Sequence, residues 1–378
     1  MREVLLEHFR KYPEMEISDA VKLLYQSEFG GGHMIADPAR SLERIRREWR
    51  DMAGCSVCGR FSDQAAVTPV SGRLAAAADS RAAKMVCESI GGGMYRIHLA
   101  ALDDGLAAET LNEMFVQTAD RKVGTRESFE NKLEILVECC KSGALPFDEA
   151  QVRAYLKEYR QQGYPAVSHS DRFREQYHPA YRVVADCFVW YYEVFRQIDM
   201  ALSQKEKGQV LTAIDGMCAA GKSTMGRILQ GIYRCNLFHM DDFFLQLHQR
   251  TEARLGEVGG NVDYERFQKE VLEHIGDRDG FSYQVYSCQK QQLDKLVFVP
   301  WSRLNLVEGS YSQHPYFGDV WDLKFFCQVS PAEQLNRIRL RNGEAMAERF
   351  QQEWIPKENA YFSAFRIREN SILVENFV

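Results

Sequence analysis

Short apolar runs alternate with segments of helical spacing through the second half of the chain. Residues 209–214 (QVLTAI), 236–239, 304–307, 323–329 and 371–374 (SILV) are mainly apolar and β-branched or aromatic, as buried strands are. Between them, 223–233 (STMGRILQGIY) places Met225, Ile228, Leu229 and Ile232 on one side of a helix. Further helices are predicted at about 264–275, 331–340 and 344–364. Strands spaced by helices imply a parallel sheet covered on both faces. Ligands of such sheets sit at the carboxyl ends of the strands.

The first half has helical spacing almost throughout. Helices are expected from a Ser18 cap through Leu24, from Pro38 through Trp49, and over 74–90, 106–119, 129–141 and 147–161. One long aromatic helix is expected from Tyr181 to about Leu202. Gly30-Gly31-Gly32-His33 and Gly91-Gly92-Gly93 interrupt the pattern, and 163–170 is extended and broken by proline. The charged stretch 203–208 (SQKEKG) reads as a linker. The expected division is therefore a mainly α-helical domain at 1–202 and an α/β domain at 203–378.

The length of 378 residues suits two or three domains, and 45% hydrophobic with 26% charged residues is ordinary for a globular protein. A net charge of −6 argues against nucleic acid as the main partner. No apolar run approaches the roughly 18 residues that span a bilayer, so no membrane partner is expected. The charged, amphipathic start MREVLLEHFRKYPEME lacks the uninterrupted apolar core of a signal peptide. Ten cysteines scattered over the chain suggest reduced thiols and a cytoplasmic protein. Cys55 and Cys58 stand without a second pair, too few for a structural zinc.

The chemistry concentrates between the first strand and first helix of the second half. Gly216-Met217-Cys218-Ala219-Ala220-Gly221-Lys222-Ser223-Thr224 fits the G-x-x-x-x-G-K-[ST] pattern. A glycine-bounded strand-to-helix turn aims successive backbone N–H groups inward at the positive end of a helix dipole, a nest for polyphosphate. Lys222 would reach the β- and γ-phosphates, and the Ser223 hydroxyl would hold Mg²⁺. ATP and Mg²⁺ are the cofactors this implies.

Phosphoryl transfer also needs a group to orient the attacking oxygen and cations over the transferring charge. Asp241 and Asp242 follow the second strand, where adjacent carboxylates repel unless a metal or a substrate hydroxyl intervenes. Asp241 is expected to take the proton from the attacking hydroxyl, and Asp242 to act at the metal or cap the next helix. Glu308 ends the third strand and suits the magnesium shell, or the orienting of a water on it. Arg337 and Arg341 are i,i+4 on a helix face and suit a lid over phosphate. Asp263, after Gly259-Gly260, either accepts hydrogen bonds from a polyol or sugar or caps a helix.

The set GMCAAGKST, HMDDFF, NVDYERF, VEGSYSQHP and RIRLRNG resembles the uridine kinase-like branch of P-loop kinases, which also takes in kinases for pantothenate, nicotinamide riboside and phosphoribulose. The resemblance covers about 209–378. It implies an α/β P-loop kinase domain, with Asp241 as base, Ser223 and Glu308 at the magnesium, and Arg337 and Arg341 in the lid. Nucleoside kinases of this type carry a Tyr-Asp pair before the lid. The comparable stretch here, 282–288, has no aspartate, and Tyr286 joins Asp241 and Asp263 as a substrate-binding candidate.

The leading expectation is ATP-dependent phosphorylation of a hydroxyl on a small metabolite: a nucleoside, sugar, polyol or vitamin precursor. Two other readings stay open: a nucleotide-gated switch or ATPase whose helical half binds a protein, and a bifunctional enzyme with separate chemistry in its first half. A small-molecule substrate is the expected partner, and a homodimer is compatible with it. In the first half, Gly30–His33, Arg96-Ile97-His98, His169-Ser170 and His178–Arg182 could converge on a second pocket for an anionic ligand. The same residues could equally satisfy backbone groups between helices.

Overall fold

The computed structural model describes residues 1–53, 86–121 and 124–375. Cys55, Cys58 and most of the expected 74–90 helix lie outside the described residues. The chain forms two compact units, one reaching Tyr192 and the other running from Glu193 onward. The change falls ten residues before the linker expected at 203–208. The helix Tyr192–Gln204 is the reason, because its side chains pack on the second unit. Tyr233 donates its hydroxyl hydrogen to Asp199 Oδ1 (2.9 Å) and lies near Phe195 O, and Arg303 Nη2 donates to Leu202 O and Lys205 O.

The first unit is mainly helical, with a small sheet the amphipathic pattern did not announce. Its helices include Arg2–Lys11, Ile17–Phe29, Pro38–Ala53, Ala108–Arg121, Arg126–Lys141 and Glu149–Gln161. Strands β1 (Cys87–Gly91), β2 (Met94–His98) and β3 (Tyr181–Ala185) pair antiparallel in the order β1-β2-β3. The long helix expected from Tyr181 is thus a correction. Residues 181–185 pair with β2, a short helix follows at Asp186–Trp190, and only Tyr192–Gln204 is a long helix. The β-branched pair Val183-Val184, both buried, gains more from the ladder and core than from helical propensity. Gly91, Gly92 and Gly93 make the β1–β2 turn with φ of 79°, 64° and 72°, and a Cβ on Gly92 would lie 2.3 Å from Ser27 O.

Leu5, Leu23, Leu24, Phe129, Leu133 and Leu156 fill the core of this unit. A polar network runs through it. Ser18 does not cap the helix Ile17–Phe29; Glu16 does, and its backbone N–H donates to Asp19 Oδ2 (3.0 Å). Asp19 is fully buried and also accepts from Ser170 N, Ser170 Oγ and His169 Nδ1. Burial alone would push its carboxyl up, but these hydrogen bonds bring it below 3.8.

The second unit carries a five-stranded sheet, all parallel, in the order β10-β9-β4-β8-β5. Here β4 is Val210–Gly216, β5 Asn236–His239, β8 Leu304–Glu308, β9 Leu323–Gln328 and β10 Ile372–Glu375. Helices Lys222–Tyr233, Pro331–Asn342 and Ile355–Ala364 flank it. An antiparallel hairpin, β6 (Phe281–Ser287) with β7 (Gln292–Val299), was not anticipated. The hairpin takes in Ser282–Ser287, most of the 282–288 stretch. The helix expected over 264–275 is α-helical only at Tyr264–Phe267 and continues as a π-helix to Leu272.

Asp19→Ala should cost about 3–5 kcal/mol, because it strips a buried charge from the four donors arranged around it. Asp19 is lowered in the folded state, so its contribution is present above 3.8 and fades as pH falls through the folded value. Urea melts of both proteins across that range check this; equal midpoints at neutral pH would rule the network out as a support of the core.

Candidate active site

The site forms where β4, β8 and β5 end side by side. Parallel register sets Ile214 beside Glu308 and Glu308 beside His239. On the other flank Gly216 lies beside Cys327 of β9. The chain leaves β4 at Gly216 with φ 132°, and a Cβ there would fall 2.1 Å from Cys327 O. Only glycine fits that approach. Met217 N then donates to Cys327 O (3.0 Å), Ala219 and Gly221 take positive φ of 58° and 88°, and the helix starts at Lys222. The loop is thus wound as the G-x-x-x-x-G-K-S pattern requires.

Lys222 is buried and folds back over this loop. Its Nζ donates to Gly216 O (2.8 Å), Met217 O (2.9 Å) and Ser310 Oγ (3.3 Å). Ser223 and Thr224 are exposed on the first turn of the helix. Gly226, one turn on, lets the helix press against the sheet: a Cβ there would stand 3.0 Å from Leu237 and 3.6 Å from the Glu308 side chain. Glu308 therefore lies beneath the helix start, buried at 5% exposure, with His239 Nδ1 donating to its Oε1 at 2.5 Å. That hydrogen bond raises the His239 imidazole above 6.5.

The two aspartates separate in role. Asp241 is exposed and, among the described residues, accepts no hydrogen bond. The bulk of protein around it and the charge of Glu308 push its carboxyl up, while Lys222 and His239 pull it down. Asp242 instead accepts from the Tyr283 hydroxyl (3.0 Å), and its backbone carbonyl accepts from Arg266. Burial raises its carboxyl.

Four substrate or lid candidates have partners of their own. Asp263 is buried and caps the helix at Tyr264, accepting from Arg266 N (3.1 Å) and pairing with the Arg266 guanidinium. The structure thus takes the cap rather than the polyol contact. Tyr286 is buried on β6, its hydroxyl accepting from Arg250 Nη2 (2.9 Å), which corrects its expected place at the substrate. Arg337 is paired with Glu333 (2.7 Å), and Arg341 donates to Asn342 Oδ1 (2.8 Å), both at their own helix. A lid role requires them to exchange these partners.

Sequence reasoning missed Asp215, Ser310, Gln334, Glu358 and Tyr361. Glu358 accepts from Cys218 N (3.0 Å) and Ser310 Oγ (2.6 Å), so one amide of the loop is already engaged. Gln334 Nε2 donates to Cys218 O (3.1 Å). The Cys218 thiol is pushed up to about 12 by burial, which leaves it an inert packing group. Asp215 is fully buried, raised by burial to about 6, and accepts from Gly216 N, Gln313 N and the Tyr361 hydroxyl. A usable signal existed for two of them. Glu358 and Tyr361 are i,i+3 and share one helix face.

Among the described residues no group of three or more His, Cys, Asp or Glu is arranged to hold a metal alone. Mg²⁺ does not need one: it keeps several waters and takes one or two protein oxygens beside phosphate. The exposed Ser223 hydroxyl and Glu308, with one oxygen engaged by His239, fit that requirement.

No family model and no curated protein matches the chain. Solved structures similar to part of it include two kinases. A candidate uridine kinase from Bacillus stearothermophilus is 16% identical, with 48% of this chain and 98% of that one covered at a TM-score of 0.36. A candidate fructose transport system kinase from Silicibacter sp. TM1040 is 19% identical, with 48% and 96% covered at a TM-score of 0.39. The five parallel strands, flanking helices and loop between β4 and the helix Lys222–Tyr233 are those of a P-loop α/β fold.

Gly216→Ala should destabilise the protein by on the order of 3 kcal/mol, since φ is disallowed and the Cβ strikes a carbonyl. Thermal unfolding checks this; an unchanged melting temperature would show that the loop can leave β9 without loss.

Proposed function

We propose that the second unit is a kinase that uses ATP and Mg²⁺ to phosphorylate a hydroxyl on a small metabolite. The observation that carries this reading is that the loop after β4, with Lys222, and the turn after β5, with Asp241, leave the same edge of one parallel sheet, with Glu308 of β8 between them. A cation at a phosphate nest and an unbonded carboxylate at the same sheet edge are what in-line phosphoryl transfer to an alcohol needs.

The loop from Gly216 to Thr224 would hold the triphosphate, with the amides of Ala219 and Gly221 among its donors. Ser223 and Glu308 would hold Mg²⁺, which supplies neutralisation of phosphate charge when bound. Lys222 would exchange its loop carbonyls for phosphate oxygens, and so meets negative charge without leaving its place. Asp241 would accept the proton of the acceptor hydroxyl. Its raised carboxyl makes it a better base than an ordinary aspartate. Glu308, tied by His239, is fixed in orientation and is not available as that base. Asp242 is a support for the Tyr283 hydroxyl and steadies the turn that presents Asp241.

The test is the full chain with ATP, Mg²⁺ and a panel of nucleosides, sugars, polyols and vitamin precursors, read by product mass. Lys222→Ala is expected to abolish turnover with an unchanged circular dichroism spectrum. Asp241→Asn is expected to lower kcat by about 10²–10⁴ while ATP binding is retained. ADP release without any phosphorylated acceptor would favour a nucleotide switch or ATPase instead. Loss of ATP affinity in Asp241→Asn would move that residue to the metal.

A further inference from the structure

The first unit brings together several of the residues singled out after its glycine and proline breaks. His169, Tyr181 and Arg182 line one cavity of about 140 Å³, with Lys22, Gln26 and Glu48. Arg96 stands behind it, its guanidinium 4.5 Å from the Tyr181 ring centre. Other members of the set serve the fold: His178 ends the helix Asp171–Tyr177 in a left-handed conformation, and His33 packs edge-on against Tyr25.

The hydrogen bonds inside the wall leave it rich in donors. Gln26 Oε1 is taken by Arg96 Nε and Nη2 (3.1 and 2.8 Å), so Gln26 has only its Nε2 to offer. Arg182 Nη1 donates to Glu48 Oε2 (2.8 Å) and Tyr181 O (2.9 Å), which leaves Nη2. Gln26 and Arg182 are 1% and 2% exposed, and among the described residues neither Gln26 Nε2 nor Arg182 Nη2 has a partner. Two unpartnered buried donors in one cavity wall are unusual, because such groups are normally satisfied. Lys22 Nζ gives one hydrogen to Val167 O (2.9 Å) and keeps two.

The acceptors nearby are already engaged. Glu48 is held by Arg182, and His169 Nδ1 donates to Asp19 (2.8 Å), which turns Nε2 toward the Tyr181 hydroxyl as its acceptor (2.7 Å). Burial lowers His169 to about 4, so the ring is neutral at physiological pH and adds no charge. Burial also lowers Lys22, to about 8, where it remains mostly protonated at neutral pH. What enters must bring acceptor oxygens and preferably a negative charge. The volume is that of a few waters at about 30 Å³ each, which suits a carboxylate or phosphate group.

We propose that this cavity is a binding site for a small oxyanion, a carboxylate- or phosphate-bearing group, held by Lys22, Gln26 Nε2 and Arg182 Nη2. A guanidinium edge beside an amide and an ammonium is a donor set suited to planar or tetrahedral oxyanions. The site is separate from the phosphate loop and does not depend on kinase activity.

The test uses the full chain with acetate and inorganic phosphate as probes, titrated separately by calorimetry. Methyl-¹³C methionine spectra localise any binding, because Met34 lines the cavity. Saturable binding of either probe is expected, with the Met34 signal, assigned through Met34→Leu, shifting in step. Gln26→Glu keeps the acceptor for Arg96 but replaces the free donor by an acceptor, and should weaken binding by roughly tenfold or more; Arg182→Lys should do likewise. Lys222→Ala should leave this binding unchanged. Acetate binding alone assigns the site to carboxylates, and phosphate binding that moves Met34 assigns it to phosphates. No saturable binding, binding without movement of Met34, or binding lost only in Lys222→Ala would overturn the proposal.

Discussion

The second unit depends on one close approach. At Gly216 the β4 backbone passes so near Cys327 O of β9 that no side chain can stand there, and the chain must turn. This contact ends the strand, opens the loop and sets the direction of the helix from Lys222. Because β4 lies between β8 and β9, the loop emerges beside Glu308 and, one strand further, His239 and Asp241. Chemistry that is scattered over nearly a hundred residues of sequence is gathered by a register.

Electrostatics then divides the acids at that edge by the partners they are given. Glu308 is tied to an imidazole, Asp242 to a phenol, and Asp215 to two amides and a phenol. Asp241 keeps its oxygens for something else. Four carboxylates close together would repel if all were equally exposed and equally unpaired. Their hydrogen bonding is unequal, and Asp241 alone of the four accepts none from the described residues. Lys222, meanwhile, is satisfied by loop carbonyls, so a buried ammonium is held at the nest by groups that phosphate oxygens can replace.

The first unit solves the same problem differently. Asp19, His169 and Tyr181 form a buried chain of hydrogen bonds between helices and a small sheet, and Arg96 donates twice to Gln26 beside it. Such a network is stable only when nearly every member is satisfied. Gln26 Nε2 and Arg182 Nη2, without a partner among the described residues, both belong to residues that line a cavity beside this network.

The phosphate loop and the five sheet strands of the second half, though not the β6–β7 hairpin, were legible in sequence, because each rests on local periodicity or on glycines that a short turn demands. Asp241, Lys222, Ser223 and Glu308 were legible for the same reason, as residues at strand ends and a helix start. The strand at Tyr181–Ala185 was not, since an aromatic, β-branched run suits helix and strand alike until a partner such as β2 appears. The cap at Asp263 was one of two readings open in sequence; the Tyr286–Arg250 bond and the engagement of Cys218 N by Glu358, 140 residues away, were not legible. Local chemistry announces what a residue can do; only the tertiary contacts decide which of its possible partners reaches it first.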